Sequence, residues 1–127
     1  PGGQLFIAIY NHQGRASQRW LVTKKIYNKL PSGLRFLVLI PAFVRLWAPT
    51  ILRNILSGNL LSSWASYEKE RGMSPWRDVV DWVGGYPFEV SKPEDVFNFY
   101  RSQGFILESL TTCSGGLGCN EFVFRSN

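Results

Sequence analysis

The 127 residues carry 14 Lys/Arg against 9 Asp/Glu, a formal net charge of +5, and 45% of them are apolar. That length supports one domain with a core of its own, and that composition excludes a disordered or low-complexity chain. One His and two Cys are too few for a four-ligand zinc centre, and Cys113 and Cys119 fit a reduced, cytoplasmic protein better than a disulfide scaffold.

Residues 4–11, QLFIAIYN, predict the first strand. The unbroken run Leu5-Phe6-Ile7-Ala8-Ile9 suits a strand covered on both faces, as in a parallel sheet. A loop follows over 11–14.

A long helical insertion comes next. Ser17 is placed to cap a helix carrying Trp20, Ile26, Tyr27 and Leu30, stopped at Pro31-Ser32-Gly33. Residues 34–56 predict a second helical region, broken or restarted at Pro41 and Pro49. Its longest apolar stretch, FLVLIPAFV, is nine residues, short of the roughly 20 that a membrane helix needs. No signal peptide and no membrane span are therefore expected. A helix over 60–71 ends at Gly72. Ser74-Pro75 then caps and starts a short helix with Trp76, Val79, Val80 and Val83 on one face, ended by Gly84-Gly85.

GYPFEV reads as an irregular or extended link. Ser91 and Glu94 form a capping-box pattern around Pro93. The helix they open presents Val96, Phe97 and Tyr100 to a core and stops at Gly104. Residues 105–112 and 121–125 predict two final strands joined by CSGGLGCN, too long for a two-residue hairpin.

Charge is asymmetric along this order. Residues 1–67 hold eight Lys/Arg and no acid, and the remaining 60 hold nine acids and six bases. A basic half suits an anionic membrane surface, an acidic substrate or nucleic acid. Charges dispersed singly among apolar residues also mark an ordinary solvated helical surface. No nucleic-acid motif is present and the aromatics fall at helical core spacing, so nucleic-acid binding is not expected.

The segments that carry a family likeness are PGG before the first strand, RGMSPWRDVVDWVGGYPFEV, and GFILESLTTCSGGLGCNEFVF. In this order, across nearly the whole chain, they resemble the C-terminal half of class I S-adenosylmethionine-dependent methyltransferases. The likeness is to small-molecule O-methylases of the ubiquinone-biosynthesis type with an enlarged helical insert. The resemblance implies an α/β fold, the C-terminal part of a Rossmann-like methyltransferase sheet. Three strands are expected, the last antiparallel between the other two. Residues 1–14 would form strand and loop, 15–90 the helical cap insert, and 91–127 the helix and strand pair. The glycine-rich strand-turn-helix unit that cradles the cofactor in such folds is expected upstream of these residues. S-adenosylmethionine is thus implied by the resemblance alone, with no residue here proposed to bind it and no metal expected.

Ligands of open α/β sheets lie beyond the carboxyl ends of the strands. Tyr10, Asn11 and His12 stand there, and His12 is the candidate base, since a neutral imidazole can take a proton from an acceptor hydroxyl. A solvated loop histidine has the same sequence signature. The second candidate is DWVGGYPFEV. Gly84 and Gly85 permit close backbone approach to a ligand, Trp82, Tyr86 and Phe88 offer aromatic walls, and Asp81 and Glu89 offer acceptors. A plain turn over a core Trp is the competing account. Asp78 and Asp81 share part of a helix face that is ordinarily solvated. CSGGLGC joins two strands and opens no helix, so it is expected to be a wide turn and not a phosphate loop.

Trp20, Trp47 and Trp64 stud the basic insert. Such helices serve as a substrate lid, as a membrane-interface element, or as an ordinary helical cap. The expectation is methyl transfer to a small-molecule acceptor, lipid-like acceptors and peripheral membrane contact included. The alternative is a non-enzymatic basic helical module that binds a membrane surface or a protein partner.

Overall fold

β1 (Gln4–Asn11) is the strand from which the sheet is built, pairing on one side with β4 (Cys119–Ser126) and on the other with the two-residue β2 (Val90–Ser91). The computed structural model describes residues 2–58 and 62–127. The described elements are β1, α1 (Arg15–Lys29), a short 3₁₀ turn (Ser32–Leu34), α2 (Phe36–Leu56), α3 (Ser62–Arg71), α4 (Pro75–Gly84), β2, α5 (Pro93–Ser102), β3 (Phe105–Thr111) and β4. The chain divides into two compact units. One comprises the residues up to Arg19 together with Phe88–Asn127, and the other is Trp20–Pro87.

The first unit holds a mixed four-stranded sheet in the order β2-β1-β4-β3. β1 and β4 are antiparallel, in register from Gln4 opposite Arg125 to Tyr10 opposite Cys119. β3 and β4 are also antiparallel, so β4 runs against β1 and β3, which share a direction. That arrangement matches the expected one. The expected count of three strands does not hold: Val90, the end of the link read as irregular or extended, and Ser91, read as a helix cap, pair in parallel with Tyr10 and Asn11.

Strand alternation puts Leu5, Ile7 and Ile9 on the same face as Phe122 and Phe124, and α5 closes that face with Val96 and Tyr100. Phe122 and Phe124 are fully buried and stack 5.9 Å apart, with Tyr100 4.9 Å from Phe124. The opposite face of β1 is bare in this unit, with Phe6 62% exposed. The reading of β1 as covered on both faces is therefore corrected. Among the described residues α5 is the helix that contributes to this core, and its apolar stripe reaches one side of the sheet.

A register shift between Leu107 and Ser109 bulges Glu108 out of the β3 ladder. Its carboxylate accepts from Arg125 Nε and Gln4 Nε2, both at 2.8 Å. α5 starts without a side-chain cap. The expected Ser91–Glu94 capping box is absent because Ser91 is paired opposite Asn11 in the sheet and Lys92 occupies the cap position. Gly104 ends the helix region with φ +83°, the left-handed conformation expected of it.

The second unit is helical. α2 runs 21 residues straight through Pro41 and Pro49, where breaks were expected. Both prolines lie on the solvent side, so the carbonyls they deprive of a helical partner, those of Leu37 and Arg45, can bond to water. As one uninterrupted helix, α2 is long and apolar enough to cross a membrane by length and composition, which corrects the expectation that no such segment exists. Soluble core helices pass the same test.

The inner side of α2 packs through Leu39, Ala42 and Trp47. Trp47 meets Tyr67 edge-on at 5.0 Å and Trp64 at 5.6 Å, while Phe43 meets Trp76 at 5.6 Å. These aromatic rings hold α2, α3 and α4 together. Ser74 caps α4 by accepting from Arg77 N–H, with Pro75 at the first position, as expected. Val79 and Val83 are buried, while Trp76 is only partly covered. Asp78 is paired and not simply solvated: it accepts from the Tyr67 hydroxyl and from Arg71 at 3.1 Å. The expected start of α3 at Leu60 lies outside the described residues.

Candidate functional site

The sequence-derived candidates fall in both units. Tyr10, Asn11, His12 and Glu89 belong to the first, and Asp81, Trp82, Gly84, Gly85 and Tyr86 to the second.

In the first unit, β1 delivers Asn11 and His12 to its carboxyl end, where hydrogen bonds fix the backbone. Asn11 N–H donates to the Gly118 carbonyl at 3.1 Å and His12 N–H to the Ser91 carbonyl at 3.1 Å. Asn120, 1% exposed, donates its side-chain amide to Asn11 Oδ1 at 3.2 Å and accepts Cys113 N–H at 3.2 Å. One buried side chain thereby ties the end of β1 to the glycine loop. Gln13 reinforces it, its side-chain amide donating to the Gly115 carbonyl. The His12 ring is exposed, and its Nδ1 accepts a long 3.4 Å bond from Gly14 N–H. In the neutral ring this leaves the proton on Nε2. Tyr10 is half-buried against Phe88, ring centroids 5.3 Å apart, and Glu89 is exposed.

Ser17 does not cap α1. The helix starts at Arg15, and the buried Ser17 hydroxyl accepts Gln13 N–H at 2.8 Å from within the first turn. The glycine loop is the wide turn expected. Ser114 and Gly115 take positive φ, Gly116 N–H returns to the Cys113 carbonyl, and both cysteines are free thiols. Burial pushes the Cys119 thiol up, with Cys113 and Glu121 adding to the effect.

In the second unit the end of α4 lies against α1. Lys24, 2% exposed, donates to the Trp82 carbonyl and holds its ammonium 4.2 Å from the Trp82 ring centroid. Trp20 meets the same indole edge-on at 5.7 Å. Asn28 donates to the Gly84 carbonyl at 3.1 Å. These contacts satisfy carbonyls at the negative end of a helix, where a cation is favoured. Desolvation lowers the Lys24 pKa to about 8, and the charge of Asp81 partly opposes it.

The paired glycines do permit a close approach, and α1 makes it. A Cβ at Gly84 would meet the Tyr27 ring at 3.4 Å. One at Gly85 would meet the Asp81 carbonyl at 3.3 Å and Lys24 Nζ at 3.6 Å. Asp81 and Tyr86 remain exposed, Trp82 is half-buried, and the Tyr86–Pro87 bond is cis.

Two residues of these clusters were not among the sequence candidates. Lys24 falls on the same helical face as Ser17, Trp20 and Tyr27, spaced i, i+3, i+7 and i+10, which is a buried stripe. Asn120 shares the period-two face of Phe122 and Phe124. A polar residue on a core face is the signal in both cases. Of the apolar residues on α1, Ile26 is 48% exposed.

Among the described residues no group of three or more His, Cys, Asp and Glu is placed to hold a metal. Comparison of the chain with protein-family models, with curated proteins and with solved structures gave no match.

Proposed function

We propose that this chain forms the acceptor-side part of a class I S-adenosylmethionine-dependent methyltransferase acting on a small-molecule hydroxyl. The observation that supports the reading is β4, antiparallel between the co-directional β1 and β3. The family resemblance requires that order of its last three strands.

S-adenosylmethionine would supply an electrophilic methyl group. The described residues do not form its cradle. The glycine-rich loop between β3 and β4 joins two strands and packs on itself, a Cβ at Gly118 falling 3.0 Å from Cys113 Cβ. No contact to the cofactor is therefore assigned to this chain.

The chain's own share is to hold the acceptor and manage its proton. His12, at the carboxyl end of β1, takes the hydroxyl proton on Nδ1 when the Gly14 contact opens. The Asn11–Asn120 bond fixes the backbone that carries the ring. Asp81 and Tyr86 of the helical unit are exposed, a carboxylate and a phenol. Trp82, Gly84 and Gly85 act in this reading by positioning them, because α1 already occupies their near side. Glu89 is the exposed acidic candidate of the first unit.

Calorimetric titration of the full-length protein with S-adenosylhomocysteine tests the reading. Saturable one-site heat, with radiolabelled methyl passing to a phenolic acceptor, is the expected result. A flat titration at concentrations where known methyltransferases saturate would remove the proposal.

A further inference from the structure

α2 is apolar on both sides, and only one side is covered. Its inner face is buried against α3 and α4 through Leu39, Ala42 and Trp47. On the other side Leu37, Ile40, Val44, Ile51, Leu52 and Ile55 recur at helical spacing as a continuous stripe, each 42–58% exposed. A helix of 21 residues carries this stripe over about 30 Å. An apolar surface of that extent marks a contact site.

Charge selects the occupant. Arg45 is exposed and flanks the stripe, four residues after Pro41 and three before Ala48. Arg53 on α2 and Lys25 and Lys29 on α1 are exposed as well, and residues 1–67 contain no acid. A second copy docked stripe to stripe would bring no acidic residue of α2 to answer Arg45. An anionic bilayer surface supplies that counter-charge and an apolar interior at once. A spanning orientation is disfavoured. The inner face is bound to helices bearing Glu68, Lys69, Glu70, Arg71 and Asp78, which would have to follow it into hydrocarbon.

We infer that the outer stripe of α2 docks in the plane of an anionic lipid bilayer, with Leu37, Val44 and Leu52 in the acyl boundary and Arg45 at the headgroups. The inference does not depend on methyl transfer, and its readouts do not involve it.

The test is flotation of the full-length protein with vesicles of phosphatidylcholine alone and of phosphatidylcholine with phosphatidylglycerol. Binding is expected to the mixed vesicles and to weaken with salt. Arg45→Gln should weaken it about fivefold, the worth of one cation near the surface. The pair Val44→Asn and Leu52→Asn should weaken it by more than about tenfold. Both positions are solvent-facing, so the variants should keep wild-type circular dichroism. If the pair unfolds the protein, Leu52→Gln alone replaces it. In a second measurement Leu52→Cys is alkylated with and without vesicles, and vesicles should slow the labelling. Absence of binding, equal binding by the double variant, or a Leu52→Cys thiol protected without lipid would each overturn the inference. Protection without lipid in a dimer would name a second copy as occupant, and in a monomer would name the rest of a longer chain.

Discussion

Lys24 holds its ammonium 4.2 Å from the centroid of the Trp82 indole and donates to the Trp82 carbonyl, tying the start of the helical unit to the end of α4. The pair explains why DVVDWVGG packs as it does. The indole gives the buried cation a π face, the carbonyl at the helix end gives it an acceptor, and Gly85 leaves room for it. The cost is desolvation of the ammonium, which lowers its pKa from 10.5 to about 8.

The pH dependence of stability follows from that shift. Between pH 8 and 10.5 the unfolded chain binds a proton at Lys24 that the folded chain has lost. Stability from this site therefore rises with pH through the window, and below about pH 8 the full penalty applies. Urea unfolding of wild type and Lys24→Met across pH 7 to 10.5 should show the difference shifting toward wild type by up to about 3 kcal/mol as pH rises. A difference independent of pH would mean that Lys24 titrates at its ordinary value.

Asn120 should matter more than an average strand residue. Asn120→Ala removes the acceptor of Cys113 N–H and the donor to Asn11 Oδ1 in a buried place, and a loss of about 2–4 kcal/mol is expected. A double-mutant cycle with Asn11→Ala should return a coupling above about 0.5 kcal/mol, which identifies the side-chain bond itself.

The two faces of the sheet should respond unequally. Phe124→Ala opens a cavity in the covered face, with an expected loss of about 3–5 kcal/mol in denaturant unfolding. Phe6→Ala, on the bare face, should change stability by under about 0.5 kcal/mol. A large loss at Phe6 in the full-length protein would show that another segment covers that face.

His12→Ala should slow methyl transfer about 10²–10⁴-fold for weakly acidic hydroxyls and far less for phenols already ionised. The slope of log kcat against acceptor pKa is the readout. A parallel offset for all acceptors would assign the ring to positioning.

Gly85→Val should displace the end of α4, since the added carbon meets the Asp81 carbonyl at 3.3 Å. Acceptor turnover should be lost while S-adenosylhomocysteine affinity is kept. Equal loss of both would make the segment a purely structural joint.

Local pattern in the sequence determined the order and kind of nearly every element: the β1 run, the Ser74-Pro75 start, the Gly72 and Gly104 stops, and the two closing strands. These depend on side-chain periodicity and backbone preference within a few residues, which the chain carries in itself. Three features were decided only by tertiary structure. Val90 and Ser91 became a strand because β1 had an open edge, and this withdrew Ser91 from capping α5. Pro41 and Pro49 stayed inside one helix because the carbonyls they orphan face solvent while aromatic packing holds the other side. Lys24 and Asn120 became central because burial is a property of what packs over a face, and a polar residue on an apolar stripe reveals its partner only when the opposing element is in place.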